Sequence, residues 1–132
     1  MPGATETIQL CQHMHLHLGL ATSSPISLID VVLNKLNLQD TFYVISSAQT
    51  EELGKPHPAV YLTTANCLGV QPQKCVAVED SIRGIISAKA ASIQCITVPA
   101  PEEREDPRFT IADVKLDSLE QINELWLKEF FS

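Results

Sequence analysis

The chain has 132 residues, of which 45% are hydrophobic and 19% are charged, and its formal net charge is -7. This composition predicts one ordinary globular domain and excludes a disordered or fibrous protein. The acidic balance, without any cluster of lysines and arginines, argues against nucleic acid or an anionic membrane as a partner.

Two further features bear on where the protein works. Residues 7–29 contain no Asp, Glu, Lys or Arg, but hydroxyl, amide and imidazole side chains interrupt the apolar run and no basic segment precedes it. We therefore expect neither a membrane span nor a secretory signal. No C-x-x-C pair occurs, so the cysteines predict reduced thiols in a cytoplasmic protein. They are Cys11, Cys67, Cys75 and Cys95.

The first third of the chain predicts a helix, a strand and a second helix. Apolar residues recur one helical turn apart between residues 8 and 14, and residues 17–22 form a short apolar run that ends in a hydroxyl. Ser24 then favours an N-cap and Pro25 a first-turn proline. The helix that follows has an apolar stripe at Ile26, Ile29, Val32, Leu33 and Leu36.

The remainder continues the alternation of strands and helices. Pro58 is expected to begin a helix that Gly69 ends in the left-handed conformation, and Ser81 to cap a helix that continues to about Ala91. Predicted strands cover residues 42–46, 75–78 and 94–98. In the tail, Asp117 and Glu120 predict a capping box before a last helix. The buried face of that helix is predicted at Leu119, Ile122, Leu125 and Trp126.

Strands that alternate with helices of about a dozen residues predict an α/β fold, with a mostly parallel sheet covered by helices on both faces. Ligands of such sheets bind at the carboxyl ends of the strands. Three polar groups occur at or near these ends: Thr22-Ser23-Ser24, Lys55, and Glu79-Asp80.

Each polar group alone favours a structural interpretation, namely a helix cap, a solvated lysine and an acidic pair that complements a helix dipole. Together they match the needs of phosphoryl transfer, which are hydroxyl donors, a cation, and carboxylates that hold Mg²⁺ around a negatively charged group. The set therefore predicts a phosphoryl-transfer site with magnesium as cofactor.

These segments resemble, in order and spacing, the second, third and fourth motifs of the haloacid dehalogenase superfamily. The matching residues are Leu20-Ala21-Thr22-Ser23-Ser24, Lys55-Pro56-His57-Pro58, and Val78-Glu79-Asp80-Ser81 with Gly84. The narrower similarity is to the subgroup of β-phosphoglucomutase and of phosphatases that act on 2-deoxyglucose 6-phosphate and related hexose or hexitol phosphates. The resemblance implies a three-layer, Rossmann-like core. It also implies a Mg²⁺-dependent phosphatase of small phosphorylated metabolites that works through an aspartyl-phosphate, with a phosphomutase less favoured.

The resemblance also implies a role for each residue. Thr22 would hydrogen-bond the phosphoryl group, and Lys55 would balance charge on the nucleophile and the phosphate. Asp80 would be the direct magnesium ligand, with Glu79 a second or water-mediated one. Ser23 and Ser24 would lie near the substrate, although a capping role for Ser24 is equally favoured. His57 is interpreted as a structural loop residue rather than a proton-transfer group.

The chain departs from the family pattern in one respect. Family members begin with a strand that ends in Asp-x-Asp-Gly-Thr, whose first Asp attacks phosphorus and whose second is the general acid and base. This sequence has no such motif, and residues 1–4 resemble the point where the family's chain re-enters the core after its helical cap domain. Residues 1–132 are therefore expected to form the second half of a catalytic core.

The missing strand is central in the family's sheet, between the strands that end at Thr22 and near Asp80. Its absence is expected either to leave two strand edges unpaired or to force second neighbours to pair. We therefore predict negligible activity and marginal stability for the isolated chain. A truncated or split reading frame, and a subunit completed by another chain, remain open as alternatives.

Two other readings of the polar residues are disfavoured. A receiver domain of a signalling system would carry its acidic pair first and its lysine last, whereas here Thr22 and Lys55 precede the acidic pair. His13, His15 and His17 alternate and could suggest zinc, nickel or copper. We expect the first two to diverge at a helix end, and no Cys or carboxylate completes a ligand set.

Overall fold

A computed structural model of the chain describes residues 2–131, so Met1, part of the segment compared above with the family's re-entry point, lies outside the described residues. The elements in chain order are α1 (Ala4–His13), β1 (Gly19–Thr22), α2 (Ile26–Lys35), β2 (Val44–Ser47), α3 (Ala59–Leu68), β3 (Val76–Glu79), α4 (Ile82–Ala90), β4 (Gln94–Thr97), β5 (Val114–Lys115) and α5 (Glu124–Phe131).

The described strands form two separate parallel sheets. One pairs β1 with β2, and the other has the order β3-β4-β5. No ladder joins β1 to β3 among residues 2–131. Of the two outcomes expected for a missing central strand, the chain therefore shows two unpaired edges rather than a pairing of second neighbours.

Helices cover both faces of the larger sheet and produce two hydrophobic cores. On one face, Ala77 and Cys95 pack with residues of α3 and α4, including Val60 and Ile85. On the other face, Ile96 and its neighbours pack with residues of α1 and α5. Side chains alternate between the faces of a strand, so β3 and β4 contribute to both cores. The predicted three-layer α/β arrangement is confirmed.

Several local predictions are confirmed by backbone geometry. Gly69 ends α3 with φ 70° in the left-handed region, where a glycine has no Cβ to clash. Ser81 is the N-cap of α4, and its hydroxyl accepts a hydrogen bond from the Gly84 amide at 3.1 Å. The sequence predicts the end of α3 and the start of α4 because each depends on one residue type with a specific conformational preference.

The prediction for α2 is partly wrong. Its N-cap is Pro25 rather than Ser24, and no side chain caps the helix. Of the predicted apolar stripe, Leu33 alone is buried, whereas Leu36 is 59% exposed. The main contact of α2 is with β2, at the end of the two-stranded sheet. The small sheet therefore covers less of the helix than a complete one would.

The tail also differs from the prediction. The capping box is formed by Ser118 and Gln121 rather than by Asp117 and Glu120, and it closes one 3-10 turn, Leu119–Gln121. The helix α5 then begins separately, with the Asn123 side chain accepting the Trp126 amide at 2.9 Å. This break shifts the helical phase. Leu119 and Ile122 are buried as predicted and Trp126 is half-buried, but Leu125 is 66% exposed and Leu127 is buried instead.

The strand β5 was not predicted, because two residues give no periodic signal. It is fixed by Asp113, whose carboxylate accepts hydrogen bonds from the Cys95 amide and from Lys89, each at 2.7 Å. Partial burial raises the pKa of Asp113, but these hydrogen bonds outweigh burial and hold it below the ordinary 3.8.

We expect Asp113→Asn to lower the free energy of unfolding by about 1 kcal/mol at pH 7, because it weakens charged hydrogen bonds at a partly exposed site. A carboxylate with a lowered folded-state pKa stabilises above its unfolded pKa and loses this contribution as pH falls through the folded pKa. The difference between variant and wild type should therefore shrink as the pH falls below 3.8, and it should vanish only when Asp113 is protonated in the folded state as well. Urea unfolding at pH 7 and at acidic pH measures the stability difference between Asp113→Asn and wild type. A difference that does not change with pH would contradict a stabilising role of the Asp113 carboxylate.

No disulfide joins the cysteines, all four of which are free. Burial, followed by the nearby Glu79 charge, raises the pKa of Cys95 to about 12, so this thiol stays protonated and packs as a core residue. No helix in residues 2–131 is long and apolar enough to cross a membrane.

Candidate phosphate site

The carboxyl ends of β1 and β3 meet at Lys55. The ammonium group of this lysine donates to Glu79 Oε1 at 2.7 Å and lies 3.4 Å from the backbone oxygen of Ala21. Ala21 precedes Thr22 at the end of β1, and Glu79 is the last residue of β3. The chain thus brings together the three polar groups that were singled out in the sequence.

The pair of Lys55 and Glu79 is buried. Their side chains are 12% and 7% exposed, respectively. Removing two charges from water is costly, and the cost is offset only when geometry is good and the remaining polar atoms are bonded. An ammonium has three protons, so after contacts with Glu79 and Ala21 the lysine retains one donor for a further ligand.

Tyr61, from the buried face of α3, supports both members of the pair. Its hydroxyl donates a short hydrogen bond to Glu79 Oε1, and its ring lies 5.2 Å from the Lys55 ammonium. Burial, and then the adjacent Glu79 charge, raise the pKa of Tyr61 far above its ordinary value. The hydroxyl therefore remains a proton donor to the carboxylate at physiological pH.

Gly84, in the first turn of α4, makes room for the carboxylate. A Cβ atom added at this position would lie 1.9 Å from Glu79 Oε2 and 2.2 Å from the carboxyl carbon. The backbone oxygen of Glu79 is held separately, by the Thr97 hydroxyl and the Val98 amide, each at 2.9 Å. Glu79 is therefore held at its backbone oxygen and at Oε1, and its carboxyl group packs closely against Gly84.

The Thr22-Ser23-Ser24 turn is ordered by its own hydroxyls. Thr22 Oγ1 accepts the Ser24 amide at 3.0 Å, and Ser47, at the end of β2, donates its hydroxyl to the Ser24 backbone oxygen at 2.7 Å. The hydroxyl proton of Thr22 stays available to an acceptor such as a phosphate oxygen. The Ser24 side chain does not cap α2, so the structure gives it no capping role that would compete with its predicted position near a substrate. Ser23 is exposed.

The loop that carries Lys55 is fastened to α4. The Arg83 guanidinium donates to the Lys55 backbone oxygen, and Ser87 donates to the backbone oxygen of His57 at 2.7 Å. The imidazole of His57 accepts the Ala59 amide at 3.1 Å. This bond favours the structural interpretation of His57, because the ring is occupied at the start of α3.

Asp80 follows Glu79 directly and is exposed. Its carboxylate is a hard oxygen ligand of the kind magnesium prefers, and Mg²⁺ usually takes one or two protein carboxylates with water and phosphate. Glu79 is different, because Lys55 and Tyr61 share its Oε1. Within residues 2–131 no group of three or more His, Cys, Asp or Glu side chains is arranged to hold a metal ion. The chain thus fits magnesium through Asp80 more readily than through Glu79.

Sequence reasoning missed four supporting residues: Tyr61, Ser47, Arg83 and Ser87. Tyr61 carried a helical-period signal that indicates a core position, and its hydroxyl gave no hint of a charged partner. The other three act through contacts between segments that lie far apart in sequence.

Comparison with known proteins decides the family. Residues 1–98, which make up most of the chain, match the sequence profile of the haloacid dehalogenase-like hydrolases. The chain belongs to this family. It is 48% identical over 122 residues to hexitol phosphatase B of Escherichia coli K12, an alignment that covers 92% of this chain and 55% of that protein.

Solved structures of family members show the same fold. β-Phosphoglucomutase from Clostridium difficile superposes with a TM-score of 0.85 at 27% identity, over 99% of this chain and 56% of that one. CbbY from Rhodobacter sphaeroides in complex with phosphate gives 0.84 at 28% identity, over 91% and 54%. The chain spans about half the length of the relatives it matches.

Proposed function

We propose that this haloacid dehalogenase-like chain is the second half of the catalytic core of a phosphatase for small phosphorylated sugars. Residues 1–132 supply the phosphate- and magnesium-binding groups, and the attacking aspartate is supplied from outside these residues. The observation that carries the proposal is the position of Lys55, held between the carboxyl ends of β1 and β3 with one donor to spare.

In this proposal Lys55 and Thr22 are the catalytic groups of the chain. Thr22 donates its hydroxyl to a phosphoryl oxygen, Ser23 and Ser24 border the substrate, and Lys55 opposes the negative charge that spreads over the phosphoryl group. Asp80 would hold magnesium, and Glu79 would be a second or water-mediated ligand or would act by fixing Lys55. Magnesium, when bound, would neutralise charge on the phosphate.

Sugar phosphates are favoured as substrates because hexitol phosphatase B is the relative with 48% identity. The phosphomutase alternative has weaker support, since the β-phosphoglucomutase structure is 27% identical. Without the aspartate, the isolated chain should bind phosphate but not hydrolyse its esters.

Binding of inorganic phosphate, followed by backbone amide NMR shifts with and without Mg²⁺, tests this site. We expect shifts at Thr22, Ser23, Lys55 and Asp80, because the phosphate contacts these ends of β1 and β3. Lys55→Met should abolish the shifts through loss of the cation, whereas Asp80→Asn should remove only their dependence on Mg²⁺. Shifts confined to other surfaces, or unchanged by Lys55→Met, would contradict the proposed function.

A further inference from the structure

Tyr61 lies on the buried face of α3, three residues after Pro58, and it is 9% exposed. Its amide donates to the Pro58 oxygen at 3.1 Å, so the start of α3 fixes its position relative to the loop that carries Lys55. It belongs to the hydrophobic core that also contains Val60 and Ile85. A helix and a packed core therefore hold this tyrosine in place.

The hydroxyl group of Tyr61 has a role that packing does not explain. A phenylalanine would fill the same space, and a buried hydroxyl lowers stability unless it finds a hydrogen-bond partner. Here the partner is Glu79 Oε1, which also accepts the Lys55 ammonium at 2.7 Å. Hydroxyl bonds to a carboxylate are roughly twice as strong as bonds between neutral groups. The hydroxyl thus makes a charge-assisted bond at the centre of the candidate site.

Tyr61 and Lys55 together use the acceptor capacity of Glu79 Oε1. A carboxylate oxygen has two lone pairs, and these two donors occupy both of them. Bidentate coordination of a metal ion needs both oxygens of a carboxylate, so Oε1 would have to give up one of its donors. Glu79 must therefore break a buried hydrogen bond before both of its oxygens can contact Mg²⁺.

The second oxygen of Glu79 is also poorly placed for direct coordination. Oε2 lies so close to Gly84 that a Cβ added there would approach it to 1.9 Å. Glu79 as a whole is 6% exposed. Mg²⁺ demands nearly ideal octahedral geometry and usually keeps several waters. A carboxylate packed against the first turn of α4 leaves little room for a hydrated ion, whereas the exposed Asp80 leaves more.

The ring of Tyr61 favours the same arrangement. Its centroid lies 5.2 Å from the Lys55 ammonium, a distance at which the face of an aromatic ring attracts a cation. The ammonium is thus attracted both by the Glu79 carboxylate and by the ring. A single residue therefore contacts both members of the buried ion pair.

We propose that Tyr61 is a positioning residue whose hydroxyl keeps the Glu79 carboxylate on Lys55 and off Mg²⁺, which leaves direct coordination of the ion to Asp80. Of the two roles that the proposed function allows for Glu79, this one is the orientation of Lys55. It rests on the proposed function only in taking Mg²⁺ as the ion.

Tyr61→Phe tests this role, because it removes the hydroxyl and keeps the ring. In NMR spectra of the wild-type chain at one fixed pH, we expect Mg²⁺ to shift the carboxyl carbon of Asp80 but not that of Glu79. In Tyr61→Phe both carbons should shift. The Kd for Mg²⁺ should fall by about tenfold, because Glu79 no longer has to break a charged hydrogen bond to reach the ion. A loss of stability alone would not tighten binding.

Thr64→Val is the matched control. It removes another buried hydroxyl from α3, but the partner of this hydroxyl is the Val60 backbone oxygen at 2.6 Å rather than Glu79. We expect the response of the Glu79 carboxyl carbon and the Kd for Mg²⁺ to match those of the wild-type chain. Tighter binding of Mg²⁺ by Thr64→Val as well would show that the effect does not come from the Tyr61 hydroxyl.

A measurement without metal separates this role from the proposed function. The ammonium protons of Lys55 should exchange slowly with water in the wild-type chain, because the buried pair holds them. They should exchange faster in Tyr61→Phe, since one of the groups that hold the carboxylate is lost. This comparison needs neither Mg²⁺ nor phosphate.

The outcomes are distinguishable. A Glu79 carboxyl carbon that responds to Mg²⁺ in the wild-type chain as strongly as that of Asp80 would overturn the role of Tyr61, even if Tyr61→Phe does not fold. Equal Mg²⁺ responses and equal proton exchange in wild type and Tyr61→Phe would overturn it as well. If Mg²⁺ shifts neither carboxyl carbon in wild type, the proposed magnesium site is contradicted, and ammonium exchange alone then decides whether Tyr61 holds the pair.

Discussion

Gly84→Ala should lower the free energy of unfolding by about 3 to 5 kcal/mol, the cost typical of breaking a buried ion pair. The added methyl would lie 1.9 Å from Glu79 Oε2, so the carboxylate must leave its bonds to Lys55 and Tyr61. The gain in helix propensity from glycine to alanine, about 1 kcal/mol, is too small to compensate. Urea unfolding followed by circular dichroism measures the change.

Gly54→Ala is the matched control, because an added Cβ at Gly54 meets only the Ala48 side chain at 3.8 Å, an ordinary contact. We expect it to change stability by less than about 0.5 kcal/mol, as surface substitutions usually do. A Gly84→Ala variant as stable as Gly54→Ala would show that the Glu79 side chain is not confined as described.

The second large effect concerns the ion pair itself. Lys55→Met leaves the buried Glu79 carboxylate without its cation, and Glu79→Gln leaves the ammonium without its anion, so each should cost about 3 kcal/mol or more. The double variant should cost clearly less than the sum, because it leaves no unpaired charge. A double-mutant cycle from urea unfolding gives the coupling free energy.

Lys89→Met provides the surface comparison, since Lys89 and Asp113 are 36% and 34% exposed. Exposed pairs contribute about 0 to 1 kcal/mol, so this loss should be several times smaller. Additive losses for Lys55→Met and Glu79→Gln would mean that the two groups do not interact in solution.

The sequence was sufficient for features that depend on one local pattern. The alternation of apolar runs gave the α/β class, Gly69 and Ser81 gave two helix ends, and the order of Thr22, Lys55 and Glu79 gave the family resemblance. These signals succeed because the conformational preference or charge of one residue type is enough.

The remainder depends on contacts that no local pattern encodes. The apolar stripe of α2 predicted burial, but the small sheet beside it leaves Leu36 exposed. Tyr61 was indistinguishable from a core residue, although its hydroxyl bonds Glu79. The family resemblance implied that Glu79 is a second or water-mediated magnesium ligand, and only the fold shows that its carboxyl group contacts Lys55 and lies against Gly84.

Glu79 and Asp80 have different environments in the fold, although they are adjacent in sequence. Asp80 is exposed just after the end of β3, whereas the Glu79 side chain is buried against α3 and α4, because adjacent residues of an extended chain face opposite ways. The two acidic residues, adjacent in sequence, are therefore expected to differ in function, with Asp80 facing the ligand and Glu79 orienting Lys55.

The central claim is that residues 1–132 contain only half of an active site. Its most direct test is the turnover of a hexose 6-phosphate by the purified chain alone with Mg²⁺, compared with the Lys55→Met variant prepared in the same way. The comparison subtracts any contaminating phosphatase. We predict no difference between the two, because residues 1–132 lack the Asp-x-Asp motif that would supply the attacking aspartate. Turnover by the wild-type chain that Lys55→Met abolishes would show a complete active site and contradict the account.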